Sequence, residues 1–330
     1  MRILFAGSPE IALPSLEALG REHELVGVLT NPPAPAGRGM APRPSPVAAR
    51  AAELFPGLPL LQPERLGPAE REAIAALRPE ALVVYAYGRL FGPKFLALFP
   101  RGAVNAHPSL LPRWRGCAPI PYAILNRDAE TGLSIQRLVR EMDAGEVLAR
   151  TRIALRGDET TASLSAWAAE EGARLFSAVL ADMEAGRERG EPQDPAAVTF
   201  SAAIRKEDGL VDWSLPAADI YARLRAFTPW PGLWTSLGGR RLSVLEARPA
   251  PEGGAAISGG GAVGAAGAAP GAVLRVDKSE GIMVQTGRGA LALLRLQLEG
   301  KKALPFKDFA NGNRGLEGSI LGAAPAADTL

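Results

Sequence analysis

Ala81-Leu82-Val83-Val84-Tyr85 is a run with no charged or amide side chain, and its texture decides the fold. A strand with one wet face alternates apolar and polar residues, whereas a strand covered on both faces reads as a continuous apolar run. Mostly apolar runs without polar alternation recur at 2–6, 25–29 and 103–106. Stretches compatible with helix separate these runs, the clearest at 68–77 and 161–185. Strands of this kind spaced by helices indicate an α/β fold with a mostly parallel sheet covered on both faces. After the first strand, Ser8 and Pro9 fit the N-cap and first position of a helix. Pro14 is expected to kink that helix.

Further out, the pattern breaks in four places. Residues 31–46 hold six prolines and two glycines and read as one long loop, a feature usually functional or mobile in a sheet domain. Residues 186–197 are rich in Gly, Pro and charge and read as a connector between domains. Beyond them come short β-like runs at 242–246, 272–276, 281–286 and 290–296, the pattern of a small barrel. The Gly/Ala-rich stretch 253–271 is expected to be a flexible insertion, and the end of the chain a disordered tail. The resulting division is a catalytic domain 1–186, a connector 187–204, a barrel 205–318 and a tail 319–330.

With 330 residues, 47% hydrophobic and 22% charged, the chain has the balance of a soluble protein with room for two cores. No apolar run approaches the ~18 residues of a membrane span. The first residues read as a strand rather than a leader, so neither signal nor transit peptide is expected. The single cysteine, Cys117, excludes an internal disulfide framework and suits a reducing compartment, so the cytoplasm is expected. It reads as a small buried thiol. A net charge of +2 does not by itself announce a nucleic-acid binder.

The chemistry concentrates at Asn105-Ala106-His107. Strand period puts Asn105 and His107 on one face, at the C-terminal edge of a parallel strand, where open α/β sheets bind ligands. An amide and an imidazole converging on one atom suit a developing oxyanion, and a carboxylate is then needed to orient the imidazole and pass protons. Asp143 in Met142-Asp143-Ala144-Gly145 is the candidate, with Asp128 and Asp158 as alternatives. His23, in a charged turn, reads as a surface residue. The chain lacks the Gly-x-Ser-x-Gly elbow of serine hydrolases. Two histidines and one cysteine do not make a usual zinc site, so no metal is expected. Neither Gly37-Arg38-Gly39 nor Gly7 completes a phosphate or dinucleotide motif.

Asn105-Ala106-His107-Pro108-Ser109-Leu110-Leu111-Pro112-Arg113-Trp114-Arg115-Gly116 resembles the signature segment of the folate-dependent formyltransferases. Phe5-Ala6-Gly7-Ser8-Pro9, Pro35-Ala36-Gly37-Arg38-Gly39, Ala86-Tyr87-Gly88, Phe227-Thr228-Pro229-Trp230-Pro231-Gly232 and Gly300-Lys301-Lys302-Ala303 extend the match. Together they are most similar to the branch that formylates initiator methionyl-tRNA. The resemblance implies a Rossmann-like formyltransferase domain followed by an OB-like β-barrel. It also implies transfer of formyl from 10-formyltetrahydrofolate to the amine of the methionyl-tRNA by a chain expected to act as a monomer, with no membrane partner. It assigns catalysis to Asn105, His107 and Asp143. Folate is placed along Ser109, Leu110, Leu111 and Pro112, with the pterin near Tyr87, Gly88 and Leu90. Arg38, with Arg43 compensating for lysines absent nearby, and Lys301 and Lys302 are given to tRNA, although each of these cations is also compatible with an ordinary solvated turn. Trp230 reads as a core residue. A sugar-nucleotide or other small-amine formyltransferase is the alternative enzyme, and a non-catalytic folate- or tRNA-binding protein the alternative outside catalysis. Pro108 stands where the family often has glycine.

Overall fold

The computed structural model describes residues 1–36, 41–250 and 268–322, and these divide into two units. The first comprises residues 1–123, 128–156 and 163–203. Its sheet has seven strands in the order Val147–Ala154, Glu130–Arg137, Ala103–His107, Ala81–Tyr85, Arg2–Gly7, Glu24–Leu29, Leu60–Leu61. The five from Ala103–His107 onward are parallel. Glu130–Arg137 runs antiparallel to both its neighbours.

Both faces of this sheet are buried, for the reason the unbroken apolar runs suggested. Ile3, Phe5, Val83 and Tyr85 enter one core cluster, while Leu4, Ala6, Leu82 and Val84 enter another. The helix Thr161–Glu184 covers the first of these faces: the Tyr85 hydroxyl donates to the Ala168 carbonyl at 2.8 Å. Chain order reverses between Arg2–Gly7 and Ala81–Tyr85, and a crevice for ligands opens at the carboxyl ends of strands at such a reversal.

Several local expectations give way. Ser8 caps no helix: a 3₁₀ turn, Glu10–Ala12, intervenes with Pro9 in the cap position, and Ser8 Oγ instead accepts from the Asn31 amide at 2.9 Å. Pro14 falls in the first turn of the helix Leu13–Glu22, where a missing N–H costs nothing and no kink follows. Residues 31–46 are not one irregular loop. Ala34–Ala36 pairs antiparallel with Ala41–Arg43, and Ser45 caps the helix Pro46–Leu54 by accepting from Ala48 N at 3.0 Å. The prolines there sit at extended and helix-entry positions, which their fixed φ favours. The residues read as a connector are bound to the first unit: Glu191 exchanges backbone hydrogen bonds with Val147, and Phe200–Ser201 pairs with Arg115–Gly116.

The second unit comprises residues 124–127, 157–162 and 204–330. Its sheet is antiparallel, in the order Leu233–Leu237, Arg240–Pro249, Ala290–Leu298, Gly281–Gln285, Val273–Asp277, with Leu304–Pro305 also on Ala290–Leu298. One face packs a single cluster that includes Leu242, Val244, Ile282, Val284, Leu291 and Leu293. The beginning of the expected tail is structured. Val273 N donates to Ser319 O at 2.8 Å and Gly322 N to Ser236 O at 2.9 Å, so residues 318–322 tie the two edges of the sheet together. Most of the Gly/Ala stretch, 253–267, and the tail from 323 lie outside the described residues. Trp230, expected in the core, is 59% exposed, and Cys117 is exposed as well. Among the described residues no helix is long and apolar enough to cross a membrane.

Candidate active site

The strand Ala103–His107 is where the parallel sheet turns polar. Val104 and Ala106 enter the apolar cluster on one face, so Asn105 and His107 share the other. Glu130–Arg137 repeats the division beside it: Leu133 and Ile135 join the same apolar cluster, while Ser134 lies opposite His107 and Gln136 opposite Asn105.

His107 is buried, and its Nε2 lies 2.8 Å from the Trp114 carbonyl. A carbonyl only accepts, so Nε2 carries the proton. Nδ1 faces Asp143 Oδ2 at 3.6 Å. Nε2 is therefore anchored by an acceptor, while Nδ1 has a carboxylate within ion-pair range but beyond a hydrogen bond. Asn105 is half-buried, and its side-chain amide has no hydrogen-bond partner among the described residues. A donor left open beside an anchored imidazole can meet a ligand.

Asp143 is brought in by a tight reversal after Glu130–Arg137. Its φ of 53° is left-handed, an uncommon conformation that Asp tolerates better than most residues. Oδ1 accepts from Gln136 Nε2 at 2.8 Å and Oδ2 from Gly116 N at 2.8 Å. The glycine two residues on is required by space: a Cβ on Gly145 would lie 1.8 Å from the Arg137 carbonyl oxygen. Gln193 secures the turn from outside, its Nε2 donating to the Asp143 carbonyl at 2.9 Å and to the Gly145 carbonyl at 2.7 Å. Arg115 in turn donates to Gln193 Oε1 from Nε at 3.0 Å. Asp128, the alternative carboxylate, is committed elsewhere. It accepts from Arg113 and from Trp114 Nε1 at 2.7 Å.

The residues expected along the folate divide. Ser109 and Leu111 are buried; Ser109 Oγ donates to the Arg113 carbonyl at 2.6 Å, and the Leu111–Pro112 bond is cis. Leu110, Leu111 and Pro112 line a cavity of about 700 Å³ with Arg113, Trp114 and Arg150, and none of the three catalytic candidates contributes to its wall. Tyr87 is a core residue, 1% exposed and stacked on Phe91 at 5.5 Å. Burial pushes its hydroxyl pKa up, with the Arg89 charge opposing. Gly88 is exposed and Leu90 is 77% exposed, as is much of Met142 beside Asp143. Arg43, Lys301 and Lys302 are exposed, and Arg38 lies outside the described residues.

Gln136, Gln193, Gly116 and the Trp114 carbonyl are absent from the sequence-derived site. The one signal for Gln136 was an amide in a strand whose neighbours Leu133 and Ile135 are aliphatic. Nothing in the sequence marks a backbone group as a partner of His107.

These observations define a class of protein. Residues 1–180 match the formyl transferase family and residues 203–314 its C-terminal domain; the chain belongs to that family. Within it, the chain groups with the methionyl-tRNA formyltransferases. It is 44% identical to that of Treponema denticola over 95% of this chain and 97% of the relative. It is 41% identical to that of Methylococcus capsulatus over 98% of this chain and the whole of the relative. Among solved structures, HypX from Aquifex aeolicus in complex with tetrahydrofolic acid shares the fold with a TM-score of 0.63 at 19% identity, over 96% of this chain and 48% of that one. A sugar 3N-formyl transferase, WlaRD, has a TM-score of 0.62 at 14% identity, over 92% and 99%.

Proposed function

We propose that this chain transfers the formyl group of 10-formyltetrahydrofolate to the α-amine of initiator methionyl-tRNA, in the cytoplasm, and that Asn105, His107 and Asp143 perform the transfer. The observation that carries the reading is the open Asn105 amide on the same strand face as the anchored His107, in a chain matching methionyl-tRNA formyltransferases over nearly its whole length. The folate donor supplies a formyl group on nitrogen that an amine can attack. Attack places negative charge on the formyl oxygen, and Asn105 Nδ2 donates to it. His107 adds a second donor when its Nε2–H exchanges the Trp114 carbonyl for that oxygen. Asp143, held by Gln136 and Gly116, keeps the ring oriented and charged. Its carboxylate also takes up the proton lost by the amine, through water, and returns it to the departing nitrogen.

The same reading gives the pterin the exposed surface at Gly88 and Leu90, with the buried Tyr87 as its support. Leu110, Leu111 and Pro112 are the segment's remaining contacts, through the cavity they line, because the buried Ser109 hydroxyl is committed to the Arg113 carbonyl. Arg43, Arg38, Lys301 and Lys302 are assigned to tRNA phosphates.

The test is a single-turnover assay with 10-formyltetrahydrofolate and either charged initiator tRNA or an amino-sugar nucleotide. Formylmethionyl-tRNA should form and the sugar should be refused. Reaction with the sugar alone would sink this reading in favour of a small-amine formyltransferase.

A further inference from the structure

Gln136 is fully buried, yet only half of its amide is used. Its Nε2 donates to Asp143 Oδ1 at 2.8 Å, while its Oε1 is buried with no hydrogen-bond partner. Turning the amide over would not relieve this, because it would set the carbonyl against the Asp143 carboxylate. The donor end must face Asp143, and the carbonyl must face away from it. A buried amide carbonyl without a donor is costly, and such an orphan in a native site calls for a role.

The neighbour able to supply the donor is already in register. Asn105 is the direct cross-strand partner of Gln136; residues so opposed share a face, with Cβ atoms roughly 5 Å apart. Its amide too has no hydrogen-bond partner among the described residues. A carboxamide without a partner can present either its oxygen or its nitrogen to a ligand, and only the nitrogen stabilises an oxyanion.

We infer that Gln136 is a positioning residue for the transfer, acting on two catalytic groups at once. Its Nε2–H holds the Asp143 carboxylate so that Oδ2 faces His107. Its Oε1 accepts one Nδ2–H of Asn105 when the site is loaded, leaving the other Nδ2–H aimed at the formyl oxygen. One buried amide thereby sets both the direction of the carboxylate and the polarity of the donor. This inference rests on the reaction proposed above.

Gln136→Met keeps the length and burial of the side chain but removes both interactions. Turnover should fall about ten- to a hundredfold, the range expected for a lost hydrogen bond to a charged group. KM for folate and for charged tRNA should stay within about twofold. Melting temperature should change little, since removal of the orphaned carbonyl offsets loss of the donor to Asp143. Wild-type turnover in Gln136→Met would overturn the inference, as would a turnover loss matched by a fall in melting temperature.

Two further measurements separate positioning from packing. The chain has two histidines, so in a His23→Gln background His107 alone reports by NMR. Its titration should move in Gln136→Met, and an unmoved titration would count against the role. Gln136→Glu keeps an acceptor for Asn105 but sets a second carboxyl against Asp143; His107 and Asp143 are the ionisable groups of the cluster. Its activity relative to wild type should decline as pH rises through the carboxylate range and beyond, and a flat ratio would refute the contact. Inability of the wild-type enzyme to formylate charged tRNA would instead refute the proposed function, and the two failures are therefore distinguishable.

Discussion

The two sheets of this protein treat polar residues in opposite ways. In the parallel sheet both faces are buried, and Ala81–Tyr85 is buried at every position. Four of the polar groups inside it, Asn105, His107, Ser134 and Gln136, gather on one face of two adjacent strands. In the antiparallel sheet burial comes and goes along each strand, as in Arg240–Pro249, and charge is set on the outside. Arg241 lies over the Trp234 ring at 4.3 Å, and Arg295 faces Glu246 at 3.5 Å. A polar group in a doubly covered sheet must be satisfied or used, since desolvation is expensive there. A charge on the wet face of an antiparallel sheet carries no such cost, so it says little about function by itself. The same residue type is therefore informative in one sheet and nearly silent in the other.

The sharpest way to break this comparison is at the catalytic face. His107→Ala and Asp143→Asn should each lower turnover about a hundred- to a thousandfold, the scale for loss of one oxyanion donor. The double variant should be little worse than the poorer single, because groups acting as a unit are not additive. Independent losses that multiply would show that the two side chains do not act together.

On the second sheet the expected effect is smaller and of another kind. Replacing both Lys301 and Lys302 by Ala should raise KM for charged tRNA several-fold, leave folate affinity unchanged, and reduce the salt dependence of tRNA binding by about two in log–log slope. An unaltered salt slope would return these lysines to the role of a solvated turn.

The smallest effect concerns stability in the turn between Val273–Asp277 and Gly281–Gln285. Hydrogen bonds from Ser279 N, Glu280 N and Ser279 Oγ hold the Asp277 carboxyl down at about 2. A depressed folded-state value adds stability that is complete above the ordinary 3.8 and is lost as pH falls through 2. Asp277→Ala should cost about 1 kcal/mol near neutral pH, and its melting temperature should approach that of wild type as pH is lowered from 4 to 2. A gap that stayed constant with pH would place the effect in backbone conformation instead.

The amino-acid sequence by itself determined the layered α/β plan, the strands at 2–7, 24–29, 81–85 and 103–107 to within a residue, and the pairing of Asn105 with His107 on one face. These are local properties: unbroken apolar runs and a period of two hold wherever the strand is placed. The family, too, was legible, since contiguous motifs such as residues 105–116 survive without knowledge of the fold. Only the tertiary structure decided what reaches those residues. It put Ser109 and Leu111 inward, committed Asp128 to Trp114, ordered part of 31–46 into a ladder and recruited 318–322 to join the edges of the second sheet. It brought Gln136 and Gln193 to Asp143. The latter contacts join residues 7 and 50 positions apart in the chain. No periodicity encodes such separations, because they are set by which strands become neighbours and by where a glycine such as Gly145 lets the backbone close to less than a side chain's width.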